Sequence, residues 1–122
     1  RESDLNGLPG IPGVFTPGQC RQTAESIAAV QLPSGEIPWS EAGHTDPWDH
    51  VECAMALTAA GLLEPARAAF EWCRREQRPD GSWAIQYRRG VVEDHGSDSN
   101  FCAYIATGVW HHALATGDRG FA

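Results

Sequence analysis

The chain has 122 residues, 42% of them hydrophobic and five of them Trp, and a formal charge of −7. That apolar content supports a packed core and excludes a disordered chain. The acidic balance excludes nucleic acid, which needs clustered Lys and Arg, and a basic membrane-binding face; no apolar run reaches the roughly 18 residues of a membrane span.

In chain order, residues 1–15 are rich in Gly and Pro and predict an extended N-terminal arm. Arg1 to Pro12 lacks the apolar stretch of a signal peptide, and the missing initial Met points to processing or a cut chain. Thr16-Pro17-Gly18-Gln19 has the form of a capping box, with a hydroxyl cap, Pro at the first helical position and Gln three residues after the cap. The helix it opens runs to about Gln31, with Cys20, Ala24, Ile27 and Ala28 as its apolar stripe. Leu32 to His44 reads as a loop. Asp46-Pro47 opens a second helix that Gly61 ends. Pro65 opens a third, buried through Ala66, Ala69, Phe70 and Cys73 and ending near Gln77; Glu71 and Arg75 form an i,i+4 pair on its solvated face. A long loop follows to Ser97, in which Ser82 to Val92 has room for a short extended piece. Asp98 caps a fourth helix ending at Gly117, and Asp118 to Ala122 would begin another. The fold class expected is all-α, with about four main helices.

Two stretches repeat. Gln31-Leu32-Pro33-Ser34-Gly35 returns as Gln77-Arg78-Pro79-Asp80-Gly81, Arg21 as Arg67, and the run Asp49 to Ala54 as Asp98 to Ala103. A period of about 50 residues with helices between the matches predicts αα-hairpin repeats, each burying a face on its neighbour. Residues 16–122 then hold two units, 16–61 and 62–117. Open edges of such an array predict a homo-oligomer, or the remainder of a longer chain, as partner.

The four cysteines contain no Cys-x-x-Cys pair, and Cys53 and Cys102 fall at equivalent repeat positions, so they read as buried reduced thiols of a cytoplasmic protein. No cofactor is expected. Asp49 with Cys53, and Asp98 with Cys102, share helix faces but lack a matching His, so spacing does not support zinc or magnesium.

The segment Arg67-Ala68-x-x-x-Trp72-Cys73-x-x-x-Gln77-x-x-x-Gly81-x-Trp83 resembles the QW motif of terpene cyclases, with Cys73 where an aliphatic residue is usual. The first copy keeps Arg21, Gln31 and Gly35 and places Trp39 two residues late. Over roughly residues 16–117 the chain is similar to the prenyltransferase and squalene-cyclase repeat group. That resemblance implies an (α/α) toroid of inner and outer helices, and a prenyltransferase-like or terpene-cyclase-like protein acting on an isoprenoid. In physical terms Gln31, Gly35, Gln77, Gly81 and Trp83 read as a latch at a helix end, with the Trp lying over the Gln amide.

Chemistry is expected where acids meet at inner-helix starts: Asp46, Asp49 and Glu52 in one unit, Glu93, Asp94 and Asp98 in the other. Crowded carboxylates raise one another's pKa, which suits general acid work. The candidate catalytic set is Asp98 and Asp94 as acid and partner, His95 orienting them, and Asp49 facing the same cavity. The Asp-x-Asp-Asp sequence of class II cyclases is missing; Asp94-His95-Gly96-Ser97-Asp98 stands in its place. An alternative is a carbohydrate-active (α/α) toroid resembling glycoside hydrolases, with Asp49 and Asp98 flanking the sugar and Trp39, Trp48 and Trp83 as platforms. A third reading is a non-catalytic binding or scaffold fragment. Phe101, Tyr104 and Trp110 line an apolar pocket in the isoprenoid reading, or simply fill the core.

Overall fold

The computed structural model describes residues 7–121; residues 1–6 of the expected arm lie outside them. Residues 7–15 carry a turn closed by pairing of Ile11 with Phe15. Four helices follow: α1 (Pro17–Val30), α2 (Pro47–Ala59), α3 (Leu63–Glu76) and, after a two-stranded hairpin, α4 (Ser99–Thr116). Each start has a local cause. Thr16 and Gln19 close the capping box of α1 reciprocally, Asp46 accepts the Asp49 N–H to cap α2, and Asp98 accepts from Asn100 and Phe101 to cap α4. Helix α3 begins at Leu63, two residues before the expected Pro65, with no side-chain cap. A Pro in the first turn is tolerated because its missing N–H would have had no partner there. Gly117, in the left-handed region, ends α4. Residues 117–121 are not helical.

The all-α expectation needs one correction. Strands β1 (Gln86–Arg88) and β2 (Val91–Asp94) pair antiparallel, with Arg88 opposite Val91 and an irregularity beside Gln86. Arg89 and Gly90 turn between them with φ of 48° and 80°, the signature of the tight hairpin turn that matches strand twist. Thr45 pairs with Tyr87 through two hydrogen bonds of 2.8 Å. The approach to α2 therefore lies beside β1.

Helix α2 is the centre of the molecule, packed on α1, α3 and α4. Three contacts show that α2 and α4 run side by side in the same direction: Trp48 stacks on Tyr104, Gly108 lies against Val51, and Thr58 bonds His112 at 2.9 Å. Helix α1 runs the other way, its Arg21 donating to the Ala60 carbonyl at the far end of α2. The core has two parts, one around Val51, Trp72, Trp83 and Tyr87, the other around Ile37, Leu57, Ala69 and Phe70. Burying a side chain such as Leu57 or Phe70 stabilises the fold by about 1.5–3 kcal/mol each.

Both repeated sequences form the same latch. Gln31 Nε2 donates to the Gly35 carbonyl at 3.0 Å, and Gln77 Nε2 to that of Gly81 at 3.2 Å. The Trp83 indole N–H donates to the Cys73 carbonyl at 2.7 Å. Only Cys73 of the four cysteines is fully buried. No helix among the described residues is long and apolar enough to cross a membrane.

Candidate active site at the start of helix α2

A cleft of about 790 Å³ opens between α1 and α2, lined by Ser26, Ile27, Val30, Trp39, Asp49 and Glu52 among others. Its acidic end is built by the local sequence Asp46-Pro47-Trp48-Asp49. Pro47 fixes the first helical turn, Asp46 becomes the cap, and the residue three beyond a cap folds back beside it. Here that residue is a second acid. Asp46 Oδ1 accepts the Asp49 N–H at 2.9 Å, and Oδ2 accepts the Trp39 indole N–H at 2.7 Å. Asp46 is 6% exposed, whereas Trp39 is 62% exposed and lies over His44, ring centroids 4.6 Å apart.

Asp49's carboxyl is pushed up from 3.8 to about 6. Partial burial is the largest cause, followed by hydrogen bonding to Asp46 and the charges of Asp46 and Glu52; the Trp39 N–H opposes them. The helix dipole favours anions at this place, so burial and like charge outweigh it. One turn further on, Glu52 Oε1 accepts from the Trp48 indole at 2.9 Å and the Tyr104 hydroxyl at 3.3 Å. Trp48 and Tyr104 are stacked within 5° of parallel, and Phe101 meets Trp48 edge-on. Cys53 lines the same cleft, and burial together with Asp49, Glu52 and Asp46 drives its thiol up to about 11.

The remaining expected site residues lie elsewhere. Asp98 sits at the start of α4, at the same end of the molecule as Asp49, and its Oδ1 accepts the N–H groups of Asn100 and Phe101. Asp94 ends β2, exposed, and accepts the Gly96 N–H at 2.8 Å. His95 is exposed, and its carbonyl accepts from Arg78. Glu93 lies on β2, away from any helix start, and pairs with Arg88. None of Asp98, Asp94 and His95 lines the cleft. Trp83, 7% exposed, is no platform, and Trp110, 63% exposed, is no core residue. Among the described residues, no group of three or more His, Cys, Asp or Glu is placed to hold a metal ion.

Two supporting residues carried no signal in the sequence. His50 is fully buried; its Nδ1 accepts the Ile37 N–H at 3.1 Å, so its Nε2 proton points to the Ala69 carbonyl at 2.9 Å. Burial holds the imidazole neutral down to about 4. Glu36, with no exposed surface, accepts the Thr45 hydroxyl and the Gly90 N–H, both at 2.8 Å. Together they fix the loop that delivers Trp39.

No family model matches the chain. It is 76% identical over 119 residues, 98% of its length, to the MMP endo-(1,4)-3-O-methyl-alpha-D-mannosidase of Mycolicibacterium hassiacum, of which it covers 33%. It is 28% identical over 117 residues to the 4-diphosphocytidyl-2-C-methyl-D-erythritol kinase of Corynebacterium jeikeium, covering 33% of that protein. The chain thus spans about a third of the length of the curated relatives it matches. The mannosidase match overturns the resemblance to prenyltransferases and terpene cyclases, and the isoprenoid substrate with it. The physical reason is visible in the latches: the Gln-x-x-x-Gly spacing serves a helix end and carries no chemistry.

Proposed function

We propose that the chain supplies the acid-bearing part of a glycoside hydrolase that cuts within α-(1,4)-linked, 3-O-methylated mannose chains, with Asp49 as general acid. The observation that carries this is a carboxyl held protonated up to about pH 6 in a cleft beside an exposed indole. Glycosidic cleavage needs one protonated carboxyl at the leaving oxygen and a second carboxylate opposite the developing positive charge. Asp46 accepts the Asp49 N–H and its charge helps to raise the Asp49 carboxyl, so it tunes the acid. Glu52, on the same face one turn along, is the charged partner the reading employs. Trp39 offers its face as a sugar platform.

The 76% identity to a protein named as a mannosidase supports this reading. So does the arrangement of α2 and α4, which fits two inner helices of an (α/α) toroid with Asp-capped starts at one mouth. Asp98, Asp94 and His95 receive local structural roles.

The test is an α-(1,4)-linked 3-O-methylmannose oligosaccharide, with binding followed by Trp fluorescence and cleavage by newly formed reducing ends. Asp49→Asn is expected to keep binding within about twofold and to slow cleavage by about 10²–10⁴-fold. A wild-type chain that shows neither binding nor cleavage at millimolar oligosaccharide removes the reading.

A further inference from the structure

We infer that the α1 wall of the cleft reads the methyl ether of the sugar, with Ile27 and Val30 taking the 3-O-methyl group of the unit beside the bond that is cut. The inference rests on the mannoside-hydrolase reading and adds to it the residues that select a methylated substrate. The cleft is two-sided. One side carries the carboxyls of Asp49 and Glu52, whereas α1 brings Ser26, Ile27 and Val30. Ile27 and Val30 are three residues apart and so share one helix face. They pack inward against the core that holds Leu57 and Phe70, yet both stay partly exposed. Ile37 and Pro38 continue the apolar surface from the loop before α2.

A wall of this kind suits a methyl ether better than a free hydroxyl. A sugar hydroxyl pressed against it would lose water and find no partner, which is penalised. The one hydroxyl on the wall, Ser26, donates to the Thr23 carbonyl of its own helix at 2.7 Å. Across the cleft the Trp39 indole N–H is held by Asp46, so neither donor is free for a sugar. Glu52 Oε1 is likewise engaged, by Trp48 and Tyr104. Linkage chemistry then places the methyl group. In a (1,4)-linked chain the oxygen that leaves is O4, and the methylated O3 sits on the neighbouring carbon. An acid that protonates O4 therefore has the methyl group of the same sugar beside it. Apolar surface next to a carboxyl is what that substrate needs, and this cleft joins the two.

The experiment compares two oligosaccharides of equal length on the chain and two variants. One is α-(1,4)-linked 3-O-methylmannose, the other unmethylated α-(1,4)-linked mannose, each titrated by Trp fluorescence. The unvaried chain is expected to bind the methylated form at least about tenfold more tightly, the lower end of what one methylene is worth in an apolar pocket. Val30→Thr keeps the shape of the side chain and sets a hydroxyl on the wall, and the preference is expected to shrink by about fivefold. Ile27→Val trims one methylene from the same wall and is expected to shrink it by about threefold. This milder variant keeps the readout should Val30→Thr fail to fold. Equal affinity for the two sugars in the unvaried chain, or a preference that neither variant moves, overturns the inference and leaves the hydrolase reading in place. Binding of neither sugar at millimolar concentration removes that reading and this inference with it.

Discussion

Asp49 and His50 are neighbours on α2, one facing the cleft and one the core, and burial drives both toward their neutral forms. Their consequences for stability run in opposite directions. His50 titrates near 4 when folded against an ordinary 6.5, so the unfolded chain takes up its proton first on acidification. Its contribution is fully present above pH 6.5 and lost as pH falls toward 4, on the order of 3 kcal/mol in all. Asp49, raised to about 6, favours the folded chain as pH falls through 6 toward 3.8. Asp49 is half-exposed and solvent weakens its share, so the net expectation is loss on acidification. Urea unfolding at pH 7 and 4.5 checks this: His50→Gln should cost about 2–4 kcal/mol at pH 7 and flatten the pH dependence. Asp49→Asn should leave stability at pH 7 unchanged or raised, and steepen the acid loss. Part of this acidic cluster was legible in the sequence. Asp-Pro-x-Asp places a cap and the residue beside it, both acidic, so their repulsion follows from spacing alone. What spacing could not show is the indole donor, because Trp39 reaches Asp46 from a loop whose path is set by Glu36 and His50.

At the scale of single elements the twin latches are unequal, and the inequality is measurable. Gly35 has φ of 92°, and a Cβ there would meet the Ala68 carbonyl oxygen at 2.1 Å. Gly81 has φ of 87°, but its nearest neighbour would be 4.0 Å away. Gly81→Ala is therefore expected to cost about 1 kcal/mol from backbone strain alone, and Gly35→Ala several times that, since the loop must leave α3. Thermal unfolding of the two variants side by side decides it. The hairpin gives the opposite kind of prediction. Arg89 occupies the left-handed region with φ of 48°, where Asn is better suited, so Arg89→Asn should raise stability by several tenths of a kcal/mol. Three of the helices were legible at their starts because Thr16, Asp46 and Asp98 cap them, whereas α3 has no side-chain cap and begins two residues before the expected Pro65. Of the hairpin only a short extended piece within Ser82 to Val92 was legible, and the pairing was not, because three- and four-residue strands are too short to show alternation and Arg-Gly is a weak turn signal.

For the whole molecule the decisive seam is between α2 and α4, where Gly108 lets the helices approach. A Cβ at that position would lie 2.3 Å from Val51 Cγ1 and 3.2 Å from the Phe70 ring. Gly108→Ala is expected to cost about 1–3 kcal/mol and to disturb the Trp48–Tyr104 stack at the seam's end, visible as a change in Trp fluorescence. The repeated Gln–Gly sentence told the architecture of helix ends correctly and the chemistry wrongly, since any αα-hairpin with that turn can use it. Glu36 extends the reach of the small sheet in a further way. Because it accepts from both Thr45 and Gly90, it ties the hairpin's tip to the threshold of α2. Lengthening that tip by a single residue is expected to withdraw the Gly90 amide from Glu36 and slacken the stretch bearing Trp39 without altering any side chain that lines the cleft. Loop exchange at Arg89–Gly90 is thus an edit to the threshold of α2, made from its back.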